Sequence, residues 1–368
     1  MLTPDTLRPS PDGTPFEMKS SRPPSFLRLY LEKRPVIEQE LAQFITDIRQ
    51  RGLLSKDIVE AVDYGVMTLG GKRARPMLVY LAHNLVGGNF PEIDQAAIIP
   101  ELPHKGSLIQ DDILDHATQR EEKPPTYRAF GEETARLAYE FLYQSPALVI
   151  NKLSIDGSIK QRLLDEYAEY ASRAREGQQM ELEYTEKGRP MLDFVYTRMA
   201  MLKCAAFTYA VRVGAILGGA NEGQIAALTK IADRCGVCFQ IRDDSKGIEK
   251  GSEASATDIR DDISEGHMNI LSGPVIYVLV KSGNPEGRRL HEILSLHTTA
   301  PALINEAIGI IKKWTFFEYG GQPSNRLEWA IEGLTDGLTK LLRESFPEET
   351  TARRQMEELI GFCKTGSF

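Results

Sequence analysis

The sequence is short of positive charge: across 368 residues, 44 Lys and Arg face 52 Asp and Glu, for a formal net charge of −8. Phosphate backbones are held by basic surfaces, so the balance speaks against nucleic acid as the main partner. An anionic ligand on such a chain needs metal ions or a local basic cluster to receive it. Cysteine is scarce as well. Four residues (Cys204, Cys235, Cys238 and Cys363) are too few for a disulfide scaffold. Cys235-Gly-Val-Cys238 has the spacing of a redox motif, but it lies in an apolar helical run before "FQIRDD", which predicts buried structural thiols. No apolar run reaches the roughly 20 residues that span a bilayer. The N-terminus mixes prolines with acids and lacks the apolar segment of a signal peptide, so the expected compartment is the cytoplasm. Alternating strands and repeats of solenoid length are also missing.

What is present is helical period. Residues 1–24 are rich in Pro, Ser and Thr and predict a disordered tail. From Ser25 onward, "FLRLYLEKRPVIEQELAQFITDIRQRG" repeats apolar residues at three- and four-residue steps, with a break expected at Pro35. "DIVEAVDYGVMTLGG" keeps that period and stops at Gly70-Gly71, a helix C-terminal signal. Three later stretches, beginning "IKQRLLDEYAEY", "DFVYTRMAMLKC" and "EGQIAALTKIAD", are long and amphipathic or mostly apolar. Polar breaks near 119–126, 186–190, 249–266, 282–287 and 318–326 are too short for domain linkers. The expected architecture is one all-α domain over 25–368.

Against that background two acidic clusters stand out. In "SLIQDDILDHATQRE" (107–121), Asp111, Asp112 and Asp115 sit among Leu108, Ile109, Ile113 and Leu114. On a helix Asp111 and Asp115 share one face, one turn apart, and Asp112 lies about 100° round. Hard divalent cations such as Mg²⁺ take oxygen ligands and often bridge one or two carboxylates to a substrate phosphate. Asp243-Asp244 closes a second apolar helix, so two such helices face to face would form a metal clamp. A single acidic pair is what a solvated helix face or cap also shows; two pairs and a basic cluster are not. The basic cluster is "GGKRARP", where Lys72, Arg73 and Arg75 follow a helix-ending Gly-Gly and suit a loop that offers cations to a phosphate. Arg120 follows the first acids, and Lys203 is set among apolar residues. Together these describe a site for a diphosphate with an apolar tail.

These motifs, in this order, resemble the trans-isoprenyl diphosphate synthases, the family of farnesyl and geranylgeranyl diphosphate synthases, over roughly residues 27–320. "GGKRARP" is similar to the family's isopentenyl-diphosphate loop, and "ELPHKGSLIQDDILD" to its Glu-x-x-His segment and first aspartate motif. "FGEETARLAYEFL", "EGQQMEL", "MLKCAAF" (with Cys204 for a threonine) and "FQIRDD" match later elements. The resemblance implies a single-domain isoprenoid synthase bundle of helices around a deep apolar tunnel, usually a homodimer. It implies three Mg²⁺ ions, with Asp111, Asp115 and Asp243 as direct ligands and Asp112 and Asp244 in support. Arg120, Lys203 and Gln240 would hold an allylic prenyl diphosphate; Lys72, Arg75 and His104 would hold isopentenyl diphosphate.

Departures from the family pattern cluster. Arg-Arg-Gly after the first motif is here Arg120-Glu121-Glu122, which places an acid where a cation for isopentenyl diphosphate is expected. The second motif, Asp243-Asp244-Ser245-Lys246-Gly247, lacks its last aspartate. His267 and Asn269 stand for a lysine and a threonine, Tyr139-Glu140 for Gly-Asp, and Lys105 for a small polar residue beside His104. Three readings follow. One is a synthase that condenses an allylic diphosphate with isopentenyl diphosphate. Another is a terpene synthase that ionises and cyclises or quenches a prenyl diphosphate alone. The third is a non-catalytic partner subunit. Under the first, Gly106 and Ser107, about one turn before Asp111, leave the tunnel open and predict geranylgeranyl diphosphate or a longer product.

Overall fold

The computed structural model describes residues 24–114, 116–186, 193–250, 263, 285–296, 298–319 and 322–365. It is helical almost throughout, as the periodicity predicts. The chain divides into two compact units. One comprises Met1–Glu169, Ala206–Lys230 and Thr339–Phe368, and the other Tyr170–Ala205 and Ile231–Leu338.

The first unit opens with α1 (Ser25–Arg51), α2 (Lys56–Asp63) and a π-helical turn (Tyr64–Thr68). Next come α3 (Ala74–Leu85), α4 (Ile93–Ala97), α5 (Glu101–Leu114), α6 (Thr126–Phe130) and α7 (Glu132–Lys152). Helix α8 (Gly157–Glu186) begins here and ends in the second unit. The expected break at Pro35 does not occur, because α1 runs through it. Proline removes one helical N–H, and the carbonyl it leaves unpaired belongs to Leu31, four residues back. Both residues are exposed, so solvent can take that carbonyl. The N-terminus of α1 is capped from the far end of the chain. In α16 (Thr351–Thr365), the Glu358 carboxylate accepts the backbone N–H of Ser25 at 3.0 Å and of Phe26 at 2.6 Å. An anion there answers both the unpaired amides and the positive end of the helix dipole.

Helix α10 (Ala205–Leu217) also belongs almost wholly to this unit. It packs on α3 so closely that a Cβ on Gly214 would collide with the Val79 carbonyl. Helices α5 and α7 pack in the same way. A Cβ on Gly106 would lie 3.1 Å from the Tyr139 carbonyl oxygen and 3.2 Å from the Leu142 Cβ.

The second unit holds the end of α8, then α9 (Asp193–Lys203), most of α11 (Glu222–Lys250), α12 (Pro285–Ser295), α13 (Pro301–Thr315) and α14 (Arg326–Thr335). Leu290, Ile293 and Leu294 of α12 meet Ile304, Ala307, Ile308 and Ile311 of α13 in one buried cluster. Phe316–Tyr319 and Gln322–Asn325 form an antiparallel hairpin, β1 and β2, the only strands among the described residues. The reading without strands missed it because four residues a side are too few to show a period of two. Cys235 and Cys238 are buried thiols, as their apolar setting predicts, and Cys204 is buried too. Back in the first unit, α15 (Leu338–Ser345) and α16 are the last described helices.

Candidate active site

Helix α5 carries the first acids in its last turn, with no basic residue beside them. A helix C-terminus is the negative end of the dipole, so each carboxylate there costs about 0.3–1 kcal/mol unless a cation offsets it. Asp111 is partly exposed. Asp112 is buried and already paired. Arg120 Nε donates to both of its carboxylate oxygens at 2.8 Å, and Nη2 lies 2.7 Å from Oδ1. Burial pushes the Asp112 carboxyl above its usual range, although Arg120 pulls the other way. In this conformation, Asp112 and Arg120 serve one another. Asp115 lies outside the described residues, as do the side chains of Asp243 and Asp244, although α11 carries both.

Arg120 is fixed by a tight turn. Its N–H donates to the Lys123 carbonyl at 2.8 Å, and the Lys123 N–H returns the bond at 3.0 Å. The two residues between, Glu121 and Glu122, both have left-handed backbones, at φ 49° and 61°. Positive φ at both central positions is the geometry that favours Gly or Asn. Both side chains are exposed, so Glu121 is an acid on the surface of this turn.

The basic loop is held from within. Arg73, at φ 52°, is buried and bound on all sides. Its guanidinium donates to Glu38 (3.0 and 2.9 Å), to Glu101 (3.1 Å) and to the carbonyls of Val66 (2.8 Å) and Gly70 (3.3 Å). That engagement corrects the reading of Arg73 as a phosphate donor: it anchors the loop from within. Arg75 stacks on Phe207 at 4.9 Å, and its buried Nε has no hydrogen-bond partner. One turn after Glu101, Lys105 is buried and donates to the Gly70 carbonyl. His104 stands among these cations. Burial, then Arg75, Lys105, Arg120 and Arg73, hold its pKa well below the ordinary histidine value, so the ring is neutral at neutral pH. It can hydrogen-bond a ligand but adds no charge.

In the second unit, Lys203 is the last residue of α9, and the helix breaks at Cys204 before α10 starts. Two glycines crowd that break. A Cβ on Gly177, in the "EGQQMEL" stretch of α8, would sit 2.9 Å from the Lys203 backbone nitrogen, and one on Gly236 would sit 2.8 Å from the Cys204 Cβ. The Cys204 thiol, in the place of the expected threonine, lies 4.0 Å from Gln240 Oε1 as a weak donor.

Of the predicted set, Lys72, Arg75, His104, Asp111, Asp112 and Arg120 belong to the first unit, and Lys203, Gln240, Asp243 and Asp244 to the second. His267 and Asn269 lie outside the described residues. Two residues escaped the sequence reading. Glu38 is 35 positions from Arg73, and nothing local marks it as a partner. Lys105 was noted only as a substitution, and its burial is what gives it meaning. Gly106 meets α7, where a Cβ would crowd the Tyr139 carbonyl and the Leu142 Cβ. Ser107 is partly buried and donates to the His104 carbonyl at 2.8 Å.

The sequence model of the polyprenyl synthetase family matches residues 55–311. A short chain isoprenyl diphosphate synthase of Methanocaldococcus jannaschii is 32% identical over 244 residues, covering 66% of this chain and 73% of that protein. A geranylgeranyl diphosphate synthase of Saccharolobus solfataricus is 28% identical, covering 76% of this chain and 83% of its own. Among solved structures, a geranylgeranyl pyrophosphate synthetase from Pyrococcus horikoshii superposes with a TM-score of 0.76 at 26% identity, over 93% of this chain and 98% of that one. A geranylgeranyl pyrophosphate synthase from Corynebacterium glutamicum, complexed with isoprenyl diphosphate and magnesium, has the same fold, with a TM-score of 0.78 at 20% identity over 91% and 99% of the two chains.

Proposed function

Because this chain belongs to the polyprenyl synthetase family, we propose that it condenses an allylic prenyl diphosphate with isopentenyl diphosphate, giving geranylgeranyl diphosphate or a longer chain. The observation that carries this reading is the cation cluster around the neutral His104. A terpene synthase ionises one diphosphate and needs one anion site. Here a cluster of cations around His104 accompanies an acidic helix end suited to metal and the allylic diphosphate.

The donor set fits a divalent metal. Asp111 offers hard oxygen at the negative end of α5, and a Mg²⁺ ion bridged to substrate phosphates needs only one or two protein carboxylates. Asp111 would hold it, with Asp115 and Asp243 as the further ligands carried over from the family, Asp112 and Asp244 in support, and three ions in all. The metal would supply charge neutralisation for the departing diphosphate. Lys203, Gln240 and Arg120 are carried over from the family as the groups that would bind the allylic diphosphate. Lys72, Arg75 and His104 hold isopentenyl diphosphate with its double bond toward the allylic carbon. The allylic C–O bond breaks, the double bond attacks the cation, and a proton leaves to diphosphate. The apolar tunnel that the resemblance implies would keep water from quenching the cation.

The test is incubation with Mg²⁺ and geranyl, farnesyl or geranylgeranyl diphosphate, each with and without isopentenyl diphosphate. We expect elongation that needs both substrates, is abolished by EDTA and falls by orders of magnitude in Asp111→Ala. Hydrocarbon or alcohol formed without isopentenyl diphosphate would replace this reading with the terpene synthase one. No turnover with any substrate would leave a partner subunit. Product length is proposed to depend on Ser107: Ser107→Phe should shorten the product, and an unshortened one would show that the tail takes another path. A homodimer is part of the same proposal, to be checked by sedimentation equilibrium.

A further inference from the structure

The interior of the basic loop is unevenly matched. Arg73 is paired with Glu38 and Glu101, and Arg120 with Asp112. Lys105 and Arg75 have no carboxylate within ion-pair distance among the described residues, although both belong to the group of cations around His104. Lys105 is 4% exposed and makes no ion pair among the described residues; its hydrogen-bond acceptor is the Gly70 carbonyl. The ammonium lies against the loop that the family uses for isopentenyl diphosphate. A Cβ on Gly71 would come within 3.0 Å of its Nζ. Gly71, at φ 139°, carries no side chain that could stand between the lysine and the loop. An ammonium has three donors, so two remain after Gly70. A buried cation is stable only when paired, and among the described residues no carboxylate lies within ion-pair distance of this one; Glu101, one turn back on α5, acts on it from farther away.

We infer that Lys105 binds the diphosphate of isopentenyl diphosphate, supplying from α5 the positive charge that Glu121 does not supply from the turn after the first aspartate motif. The inference rests on the proposed condensation. The structure gives the substitution a direction. The chain has an acid at 121, on an exposed turn, and a lysine at 105, buried at the loop, where the family has a cation and a small polar residue. A charge moved from a solvated turn to a buried position acts more strongly on a bound anion, because water screens it less.

The test is calorimetric titration of wild type and Lys105→Met with inorganic pyrophosphate and with isopentenyl diphosphate, beside steady-state kinetics and melting curves. One charge-assisted hydrogen bond lost corresponds to a roughly 10- to 100-fold rise in Kd. We expect a rise of that size for both ligands, KM for the allylic diphosphate within about twofold, and a Tm no lower than wild type. A merely structural lysine would lower Tm and weaken both substrates together, and that result overturns the inference. So does an unchanged Kd in folded Lys105→Met, or a wild type that binds neither ligand. Glu121→Arg introduced into Lys105→Met should recover most of the lost affinity; no recovery would refute the exchange of charge between the two positions. Should Lys105→Met fail to fold, Lys105→Arg serves instead: its pyrophosphate affinity should hold above pH 9 where that of wild type declines, and parallel profiles would refute the role. Wild type that binds isopentenyl diphosphate tightly but elongates nothing would sink the condensation alone.

Discussion

Lys105 shows how little a residue type says without its surroundings. In sequence it is one lysine on an amphipathic helix, where a charged side chain most often reaches for solvent. In the fold it is buried, and that burial, together with Arg73, Arg120 and Arg75 and against the pull of Glu101, takes its pKa from 10.5 down to about 8. The sign of the linkage follows. Below about pH 8, folded and unfolded chains both carry the proton, and the full cost of burying the charge is present. Between about 8 and 10.5 the unfolded lysine keeps its proton and the folded one releases it, so stability contributed by this site rises with pH. Urea unfolding of wild type and Lys105→Met across pH 7–10 should show the gap between them narrowing over that window. A constant gap would place the ammonium in water. Arg73 carries the same lesson in reverse. Its place in a basic run suggests a ligand contact, but its partners Glu38 and Glu101 are 35 and 28 residues away, beyond any local pattern.

At the scale of elements, the helices were legible because three- and four-residue spacing is written along the chain, and the family because each of its motifs occupies a few adjacent positions. What the sequence hid were contacts made across it. The cap on α1 comes from Glu358, more than 330 positions on, and the use of Gly106 is decided by α7. Turn strain was hidden too, since the φ values of Glu121 and Glu122 depend on Arg120 and Lys123 closing on each other. That strain makes a prediction. A non-glycine residue in the left-handed region costs roughly 1 kcal/mol, so Glu122→Gly should stabilise the protein by about that amount. Thermal or urea unfolding would register it, and a neutral or destabilising result would mean that the Glu122 side chain makes contacts that offset the backbone.

Across the whole molecule, the two compact units share the chain in an interleaved way, and helices α8 and α11 each contribute residues to both. Neither unit is a continuous segment, which explains why no linker was found: composition marks a boundary only where the chain leaves one core in a loop. A helix that passes from one unit to the other cannot melt in half without exposing the backbone bonds at the break. Heating should therefore give one cooperative transition, with coincident midpoints by far-ultraviolet dichroism and by fluorescence. Two separated midpoints would show that the units unfold independently.

The π-helical turn at Tyr64–Thr68 has an effect that no side chain conveys. Its bond from the Leu69 N–H to the Tyr64 carbonyl, 2.9 Å, spans five residues where an α-helix spans four. One residue is thus inserted between α2 and the glycines. In an ordinary helix each position turns the chain by about 100° and advances it about 1.5 Å. The direction in which Gly70 presents its carbonyl to Lys105 and Arg73 is consequently set by a count of residues, not by the identity of any of them. A chain shorter by one here could keep every binding side chain and still aim its loop elsewhere.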